Sequence, residues 1–271
     1  MLNIFCLKGK KAVITGGAGV LGSAIAEGFG NAGAEIAICD IADTKKIVAR
    51  LRKERIKAKG YYINVLEKES IESCCRLVMN DMGRIDILLN AAGGNLKEAT
   101  TSKDLNFFDL PLEGIQKVIA LNLLGGAILP CQVFGREMVK NKNGGSIINI
   151  SSMNAFRPLT RIPGYSAAKA AVSNFTQWLA VHFAQEYNKK IRVNAIAPGF
   201  FLTSQNRYLL LDKNGKLTQR GSSIIQHTPM GRFGKPEELI GACVWLASDA
   251  SQFVTGVVLP VDGGFNAFSG V

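Results

Sequence analysis

Short apolar runs and longer stretches with helical spacing alternate along the whole chain. The apolar runs predict strands at Lys11–Thr15, Glu35–Asp40, 60–65, 85–90, 146–151, 191–197 and 257–261. Apolar positions spaced as in an amphipathic helix predict helices directly after the first strand and at 45–59, Lys68–Met82, 112–139, 165–187 and 236–248. Short strands that are apolar throughout are typical of a parallel sheet covered on both faces. The pattern therefore predicts an α/β fold with a doubly wound parallel sheet flanked by helices on both faces.

Two connections in this pattern are too long to be simple turns. Residues 93–111 are mostly polar, and residues 200–236 carry charges, an Asn-Gly turn and a short apolar patch. Long loops in a compact domain are more often functional than incidental. Since no Pro- or Ser-rich linker interrupts the chain, we expect residues 1–271 to form a single domain with a substrate lid at 200–236. A packing or subunit-contact role for that segment is the alternative.

The first strand runs into a glycine-rich turn in which Gly17, Gly19 and Gly22 form a GxGxxG pattern. A strand precedes this turn and a helix begins within it, which is the context of a dinucleotide site. Glycines let the backbone approach a pyrophosphate, and the helix N-terminus supplies free N–H groups and partial positive charge. The turn therefore predicts a Rossmann-type cofactor site.

Asp40 ends the second predicted strand, where its carboxylate is expected to contact the ribose of the cofactor. A carboxylate at this position can accept hydrogen bonds from the ribose hydroxyls of NAD and repels the 2′-phosphate of NADP. The following residues, Ile41 and Ala42, offer no cation, although Lys45 and Lys46 are near in sequence. NAD is therefore expected, with NADP less favoured.

A candidate proton donor lies farther along the chain. Tyr165 and Lys169 fall on one face of a predicted helix, and Ser152 lies just past the end of a predicted strand. A phenol, a nearby cation and a hydroxyl that can hold an oxygen suit acid–base work on a carbonyl. A Tyr-x-x-x-Lys pair alone is weak support, because chance pairs on helix surfaces are common.

Charge and composition limit the partners and ligands that the protein is expected to bind. The net charge of +11 allows a nucleic-acid or acidic partner, but the basic run at 45–59 is better explained as a solvated helix face. The six cysteines and two histidines show no metal-ligand spacing, so free thiols and no metal are expected. The uncharged run 118–135 contains Asn122, two glycines and Pro130, which favours a buried helix over a membrane span. We expect a soluble, cytoplasmic protein that binds neither nucleic acid nor membrane.

Taken together, these motifs closely resemble the short-chain dehydrogenase/reductase family over essentially the whole chain. The motifs that carry the resemblance are the glycine turn, Asn90-Ala91-Ala92-Gly93, Asn122, Ser152, Tyr165, Lys169, residues 194–199 with Thr203, and residues 261–264. Two positions depart from the family pattern. Val20 replaces the middle glycine of the usual turn, which affects the expected pose of the pyrophosphate, and Asn64 stands where the family often has Asp.

The resemblance implies a catalytic role for four residues. Tyr165 would act as general acid in carbonyl reduction and as base in alcohol oxidation, with its pKa lowered by Lys169. Lys169 would also bind the nicotinamide ribose, Ser152 would hold the substrate oxygen, and Asn122 would support a water chain. The implied cofactor-binding residues are Gly16, Gly19, Val20, Leu21, Gly22, Asp40, Asn64, Val65, Asn90, Ala91, Gly93, Tyr165, Lys169, Pro198, Gly199, Phe201 and Thr203.

Within the family, residues 93–101, 198–221, 227–239 and the C-terminal tail resemble oxidoreductases of sugar acids. The resemblance implies D-mannonate and D-fructuronate as the small-molecule substrate pair. Arginine could bind the carboxylate through a bidentate pair, and amides or hydroxyls could bind the hydroxyl groups. The candidates are Arg157, Arg161 and Arg207 for the carboxylate, and Asn95, Asn154, Ser204 and Gln205 for the hydroxyls. Arg157 or Arg161 is favoured by its position, although a surface salt bridge explains any one arginine equally well.

Three alternatives remain open at this point. One is gluconate 5-dehydrogenase, and another is 3-oxoacyl carrier-protein reductase, for which the positive charge would suit an acidic carrier but Asp40 argues against NADPH. The third is a non-catalytic nucleotide-sensing protein. The resemblance also implies a homotetramer in which the helices at 112–139 and 165–187 pack between subunits. The tail, residues 265–271, could complete a neighbouring subunit's site.

Overall fold

A seven-stranded parallel sheet forms the centre of the molecule, with strand order β3-β2-β1-β4-β5-β6-β7. The structure is a computed structural model that describes residues 3–203 and 206–270. The strands are β1 Lys11–Thr15, β2 Glu35–Asp40, β3 Ala58–Tyr62, β4 Ile87–Asn90, β5 Gly145–Ile150, β6 Ile191–Pro198 and β7 Val258–Val261. The predicted fold class is confirmed.

Helices cover both faces of the sheet. The helices are α1 Val20–Asn31, α2 Lys45–Lys53, α3 Lys68–Met82, α4 Leu112–Ile119, α5 Leu129–Met138, α6 Pro163–Glu186, α7 Arg207–Leu210, α8 Gln219–Gln226 and α9 Ile240–Ala247. A π-helical segment, Ala120–Ile128, joins α4 to α5 without a break. Short 3₁₀ turns occupy Asn3–Phe5, Lys97–Ala99, Phe107–Asp109, Met153–Ala155, Pro236–Leu239 and Asp249–Ser251.

Neighbouring residues of each central strand belong to opposite sides of the sheet. Ile14 packs with α1, α2 and α9 on one side, whereas Val13 packs with α3, α5 and α6 on the other. Ile38 and Cys39 of β2 divide in the same way. Each of these central strands is therefore buried on both faces, which explains why they are largely apolar.

The chain reverses its direction of winding between β1 and β4. It begins at β1, adds β2 and β3 on one side, and then returns to place β4 on the other side of β1. The last residues of these neighbours, Thr15 and Asn90, lie opposite each other in register. Ligands of open parallel sheets bind outside the carboxyl ends of the strands at such a switch point.

The helix predicted at 45–59 ends much earlier than expected. Helix α2 stops at Lys53 because Arg55 adopts a left-handed conformation with φ of 64°, and the N–H of Ile56 bonds back to the carbonyl of Leu51. The shortened helix leaves room for β3 to begin at Ala58. As an edge strand, β3 has only Ala58 and Tyr61 buried and is not apolar throughout; it also ends at Tyr62, which corrects the strand predicted at 60–65.

The single helix predicted at 112–139 contains a widened middle turn. A methyl group on Gly125 would lie 2.7 Å from the carbonyl oxygen of Val65, and one on Gly126 would lie 2.8 Å from that of Ala92. These glycines let the helix pack closely against the loops that follow β3 and β4.

The stretch Leu112–Met138 has the length and hydropathy of a membrane span, but half of its most apolar window is buried within the protein. Such burial is expected of a core helix.

Candidate active site

The glycine turn between β1 and α1 forms an open cradle at the switch point. Gly16 has φ of 66°, and a methyl group there would lie 2.6 Å from the N–H nitrogen of Ala92. A methyl group on Gly22 would lie well inside the van der Waals contact distance of the Gly16 carbonyl oxygen. Helix α1 begins at Val20, and its N-cap, Gly19, has no side chain that could accept a hydrogen bond from the first N–H groups of the helix. The backbone N–H groups of the first turn are thus available to an anion.

Val20, which departs from the family's glycine pattern, causes no distortion of the turn. The residue is the first of α1 and is 37% exposed. Leu21, next to it, packs partly against the core on the α1 side. The close backbone approaches are made by Gly16 and Gly22, so the cradle keeps its shape with valine at the middle position.

Asp40 is held at the end of β2 by two backbone groups. One carboxylate oxygen accepts from the N–H of Ala18, in the glycine turn, and the other accepts from the N–H of Ala42, each at 2.9 Å. The carboxylate is therefore fixed beside the cradle and keeps free lone pairs for further donors. Lys45 and Lys46 are exposed at the start of α2.

The remaining predicted cofactor residues lie along the carboxyl edge of the sheet. Asn64 follows β3; its amide oxygen accepts from the N–H of Leu66 at 3.1 Å, and its NH₂ donates to Glu67 at 2.8 Å. Val65 is buried against the π segment, and Ala91 donates its N–H to the carbonyl of Thr15. After β6 the chain turns at Pro198 and Gly199, with Phe201 buried and Thr203 bonded to Asn206.

Asn90 ends β4 within a buried polar network that sequence reasoning missed. Its NH₂ donates to the side-chain oxygen of Asn149 at 2.9 Å and to the sulfur of Cys131 at 3.3 Å. Asn149 in turn donates to Thr176 at 2.9 Å. The side-chain oxygen of Asn90 is buried and has no partner within the described residues. The network ties β4, β5, α5 and α6 together directly beneath the site.

Asn122 is fully buried in the π segment and anchors the loop that follows β4. Its oxygen accepts from the N–H of Gly94 at 3.1 Å, and its NH₂ donates to the carbonyls of Gly94 and Val118 at 2.6 and 2.8 Å. A methyl group on Gly93 would lie 2.7 Å from the oxygen of Asn122 and 3.4 Å from Nζ of Lys169. The loop, the π segment and Lys169 therefore meet at one point.

The structure brings Ser152, Tyr165 and Lys169 together at the end of β5. Ser152 has an extended backbone and its hydroxyl accepts from the N–H of Asn154 at 3.2 Å. The side chain of Ser152 lies close enough to the Tyr165 phenol to lower its pKa. Lys169, one turn farther along α6, donates to the carbonyl of Ile150 at 2.7 Å, and its Nζ lies 5.6 Å from the centre of the Tyr165 ring.

Burial dominates the electrostatics of this cluster. It raises the pKa of Tyr165, and the nearby side chain of Ser152 offsets this rise only in part. It also lowers the pKa of Lys169 from 10.5 to about 8. The expected lowering of the Tyr165 pKa by Lys169 is thus not found in this state. The ammonium is engaged by the carbonyl of Ile150, and removal of the phenol from water opposes its ionisation.

The predicted substrate residues surround the cluster but do not all face it. The side chain of Asn95 bonds to Thr100 at 2.8 Å. That of Asn154 is buried and accepts from the N–H of Leu159 at 3.1 Å. Arg207 is exposed on the short helix α7. Ser204 and Gln205 lie outside the described residues.

Arg157 and Arg161 have different environments. Nε of Arg157 donates to the carbonyl of Asn266 at 2.7 Å, which ties the loop after Ser152 to the C-terminal tail. The tail also packs its Phe265 ring against Phe200 of the same chain, with centroids 5.3 Å apart. Arg161 has a left-handed backbone with φ of 75° and lines a cavity of about 550 Å³.

These features define a class of protein. The sheet has a glycine cradle at its switch point, a carboxylate at the end of β2, and a Ser-Tyr-Lys cluster in which Ser152 and Lys169 are buried. This combination is that of nicotinamide-dependent oxidoreductases that act on CH–OH groups. A family model described as enoyl-(acyl carrier protein) reductase matches residues 16–266. The chain belongs to the short-chain dehydrogenase/reductase family.

Several known proteins are similar over their whole length. A solved structure from Haemophilus influenzae with bound NAD, provisionally described as a D-mannonate oxidoreductase, has a TM-score of 0.91 and 48% identity, covering 98% of each chain. An uncharacterised oxidoreductase of H. influenzae is 50% identical over 98% of this chain and 96% of its own length. The 5-keto-D-gluconate 5-reductase of Escherichia coli K12 is 36% identical over 97% of this chain and 98% of its own.

Proposed function

We propose that this protein is an NAD-dependent oxidoreductase that interconverts D-mannonate and D-fructuronate. The observation that carries the catalytic part is the clustering of Ser152, Tyr165 and Lys169 at the end of β5, where Nζ of Lys169 lies 5.6 Å from the centre of the Tyr165 ring. The similarity to the NAD-bound H. influenzae structure supports the choice of substrate. The similarity to 5-keto-D-gluconate 5-reductase supports a related hexonate as the second candidate.

The residues present fit a dinucleotide. The cradle at Gly16 and Gly22 admits no side chain, the first turn of α1 offers backbone N–H groups, and Asp40 stands where ribose hydroxyls would donate. The carboxylate carries a full negative charge next to that position, so the 2′-phosphate of NADP would be repelled. NAD, when bound, supplies the hydride acceptor or donor for the reaction.

The protein's own residues handle the oxygen and the proton. In ketone reduction, Ser152 holds the carbonyl oxygen and Tyr165 donates its proton to it; in alcohol oxidation, the phenolate takes the proton back. The raised pKa of Tyr165 keeps the phenol protonated, which suits the reduction direction. Lys169 lies one turn from Tyr165 beside the site of proton transfer, and Asn122 holds the 93–94 loop against it.

The surroundings of the site complete the proposal. Residues 200–236, including α7 and α8, cover the carboxyl edge as a substrate lid within a single domain. The exposed aromatic residues of α6, among them Trp178 at 56% exposure, support a homotetramer in which α4, α5 and α6 pack between subunits. We place the enzyme in the cytoplasm.

A substrate panel tests the proposal. NADH consumption is followed by the absorbance of the reduced nicotinamide at about 340 nm. The substrates are D-fructuronate, 5-keto-D-gluconate and an acetoacetyl thioester. We expect the highest kcat/KM with D-fructuronate. Higher activity with the thioester would replace the sugar acid by an acyl carrier substrate, and no turnover with any carbonyl would support a nucleotide-sensing protein.

A further inference from the structure

Ser151 lies between the last residue of β5 and Ser152, and its side chain has partners on α6. The residue is 2% exposed, and its N–H donates to the carbonyl of Ile196 at 2.8 Å, which extends the pairing of β5 with β6. Its hydroxyl donates to the carbonyl of Lys169 at 3.1 Å and lies 2.7 Å from the hydroxyl of Ser173. One hydroxyl therefore links a strand end that is fixed in the sheet to the part of α6 that carries Lys169.

Lys169 and the end of β5 are joined in both directions. The ammonium of Lys169 donates to the carbonyl of Ile150 at 2.7 Å, and the hydroxyl of the next residue, Ser151, donates to the main-chain carbonyl of Lys169. Two consecutive residues thus hold both the Nζ and the main chain of the lysine. The residue that follows them is Ser152, so these bonds connect α6 to the residue that carries the catalytic hydroxyl.

Ser173 supports this link, but the link does not depend on it. Its hydroxyl lies 3.2 Å from the carbonyl of Lys169, four residues earlier in the helix. Each serine has one hydroxyl proton to donate, so either Ser151 donates directly to that carbonyl or it donates to Ser173, which then donates to the carbonyl. Without Ser173, the direct bond from Ser151 is retained. Without Ser151, the bond that remains lies within α6 and no longer reaches the strand.

The position of this link matters for proton transfer. Tyr165 lies one helical turn before Lys169, and Nζ of the lysine is 5.6 Å from the centre of the tyrosine ring. Ser152 and Tyr165 must both be within hydrogen-bond reach of one substrate oxygen, and small displacements of catalytic groups lower the rate strongly. The distance between α6 and the end of β5 is therefore a catalytic requirement.

We propose that Ser151 is a positioning residue for the reaction. Its hydroxyl holds the main chain of Lys169, and with it Tyr165, at the working distance from Ser152. The proposal rests on the proposed function for the carbonyl that is used in the assay. Because Ser151 would act on the transition state through Lys169 and Tyr165, its loss should lower kcat and leave substrate binding unchanged.

Steady-state kinetics of Ser151→Ala give the first test. We expect kcat for D-fructuronate to fall by about 3- to 10-fold, the worth of one hydrogen bond, with an unchanged KM and an unchanged Kd for NADH. Ser146→Ala is the matched control, because Ser146 is a buried serine near the opposite end of β5 whose hydroxyl donates to the carbonyl of Leu246 in α9 at 2.7 Å. The control should lower the Tm by a similar amount and leave kcat unchanged. An equal fall of kcat in both variants, or an unchanged kcat in Ser151→Ala, would overturn the proposal.

Ser151→Thr and Ser151→Val separate the hydroxyl from the volume of the side chain. The two replacements have nearly the same shape, and only threonine keeps a hydroxyl. Both add a methyl group to a buried position, so the comparison between them is independent of crowding. The kcat of Ser151→Thr should exceed that of Ser151→Val by about 3- to 10-fold. Equal values would show that packing alone is responsible and would overturn the proposal.

The two serines also differ in their expected effects. Ser173→Ala should lower kcat less than Ser151→Ala does, because Ser151 still reaches the carbonyl of Lys169. The double variant should be no slower than Ser151→Ala, since the bond that it loses in addition lies within α6. Losses that add in the double variant would mean that the serines act independently, and the assignment of the link to Ser151 would be wrong.

Hydrogen exchange needs no turnover and separates this proposal from the proposed function. In Ser151→Ala the amides of residues 152–155 and of the first turns of α6 should exchange faster by about 3- to 10-fold, whereas Ser146→Ala should leave them unchanged. If the wild-type protein reduces no sugar acid, the kinetic comparison uses another carbonyl that it does reduce. If it reduces none, the proposed function fails, and faster exchange retains the positioning of Lys169 by Ser151. Normal reduction of D-fructuronate by Ser151→Ala, with unchanged exchange, would retain the function and overturn the positioning role.

Discussion

The pKa of Lys169 allows a direct test of the effect of burial on the active site. Its side chain is 4% exposed, and its ammonium donates to the carbonyl of Ile150. Burial lowers its pKa from 10.5 to about 8. Lys169→Met replaces the side chain by an apolar one of similar length and removes the charge.

The expected magnitude follows from the lowered pKa. Below pH 8 the lysine is charged in both the folded and the unfolded chain, so the full cost of burying the charge, about 3 kcal/mol, is present. As the pH rises through 8 towards 10.5, the folded protein loses the proton before the unfolded chain does, and the cost fades. The wild-type protein should therefore gain about 2 kcal/mol relative to Lys169→Met between pH 7 and pH 9.5.

Urea unfolding of both proteins at pH 7, 8.5 and 9.5 measures this difference, at one fixed protein concentration. Lys213→Met, which removes an exposed lysine, is the control for loss of charge alone. Turnover should be lost in Lys169→Met at every pH. A stability difference that does not change with pH would refute the conclusion that burial holds the pKa of Lys169 near 8.

Three further variants test the site. Tyr165→Phe should lower kcat by about 10²- to 10⁴-fold, the usual worth of a general acid, while the Kd for NADH in a fluorescence titration is unchanged; substantial residual turnover would remove Tyr165 from this role. Asp40→Ala should narrow the preference for NADH over NADPH in kcat/KM by about tenfold, since a charged hydrogen-bond acceptor is lost; an unchanged ratio would mean that Asp40 does not contact the ribose. Gly22→Ala should weaken NADH binding and lower the Tm because its methyl group collides with the Gly16 carbonyl, whereas Gly241→Ala, with no atom within 4 Å of the added methyl, should do neither.

Much of the fold could be predicted because its signals are local. The bounds of β1, β2 and α3 match the prediction, since apolar runs and helical periodicity depend only on neighbouring residues. The early end of α2 could not be predicted, because the left-handed turn at Arg55 leaves no compositional signal. The π segment is likewise a response to packing, since Gly125 and Gly126 meet loops from other parts of the chain.

The residues able to do chemistry are recognisable from local sequence: the glycine turn, Asp40, and the spacing of Ser152, Tyr165 and Lys169, which a strand end and a helical turn bring together. The state of those groups depends on tertiary contacts. The ammonium of Lys169 bonds to the carbonyl of Ile150, nineteen residues away, and Arg157 bonds to a carbonyl 109 residues away. Burial and the meeting of distant loops set the charges of the site, and neither is encoded in the periodicity of any one segment.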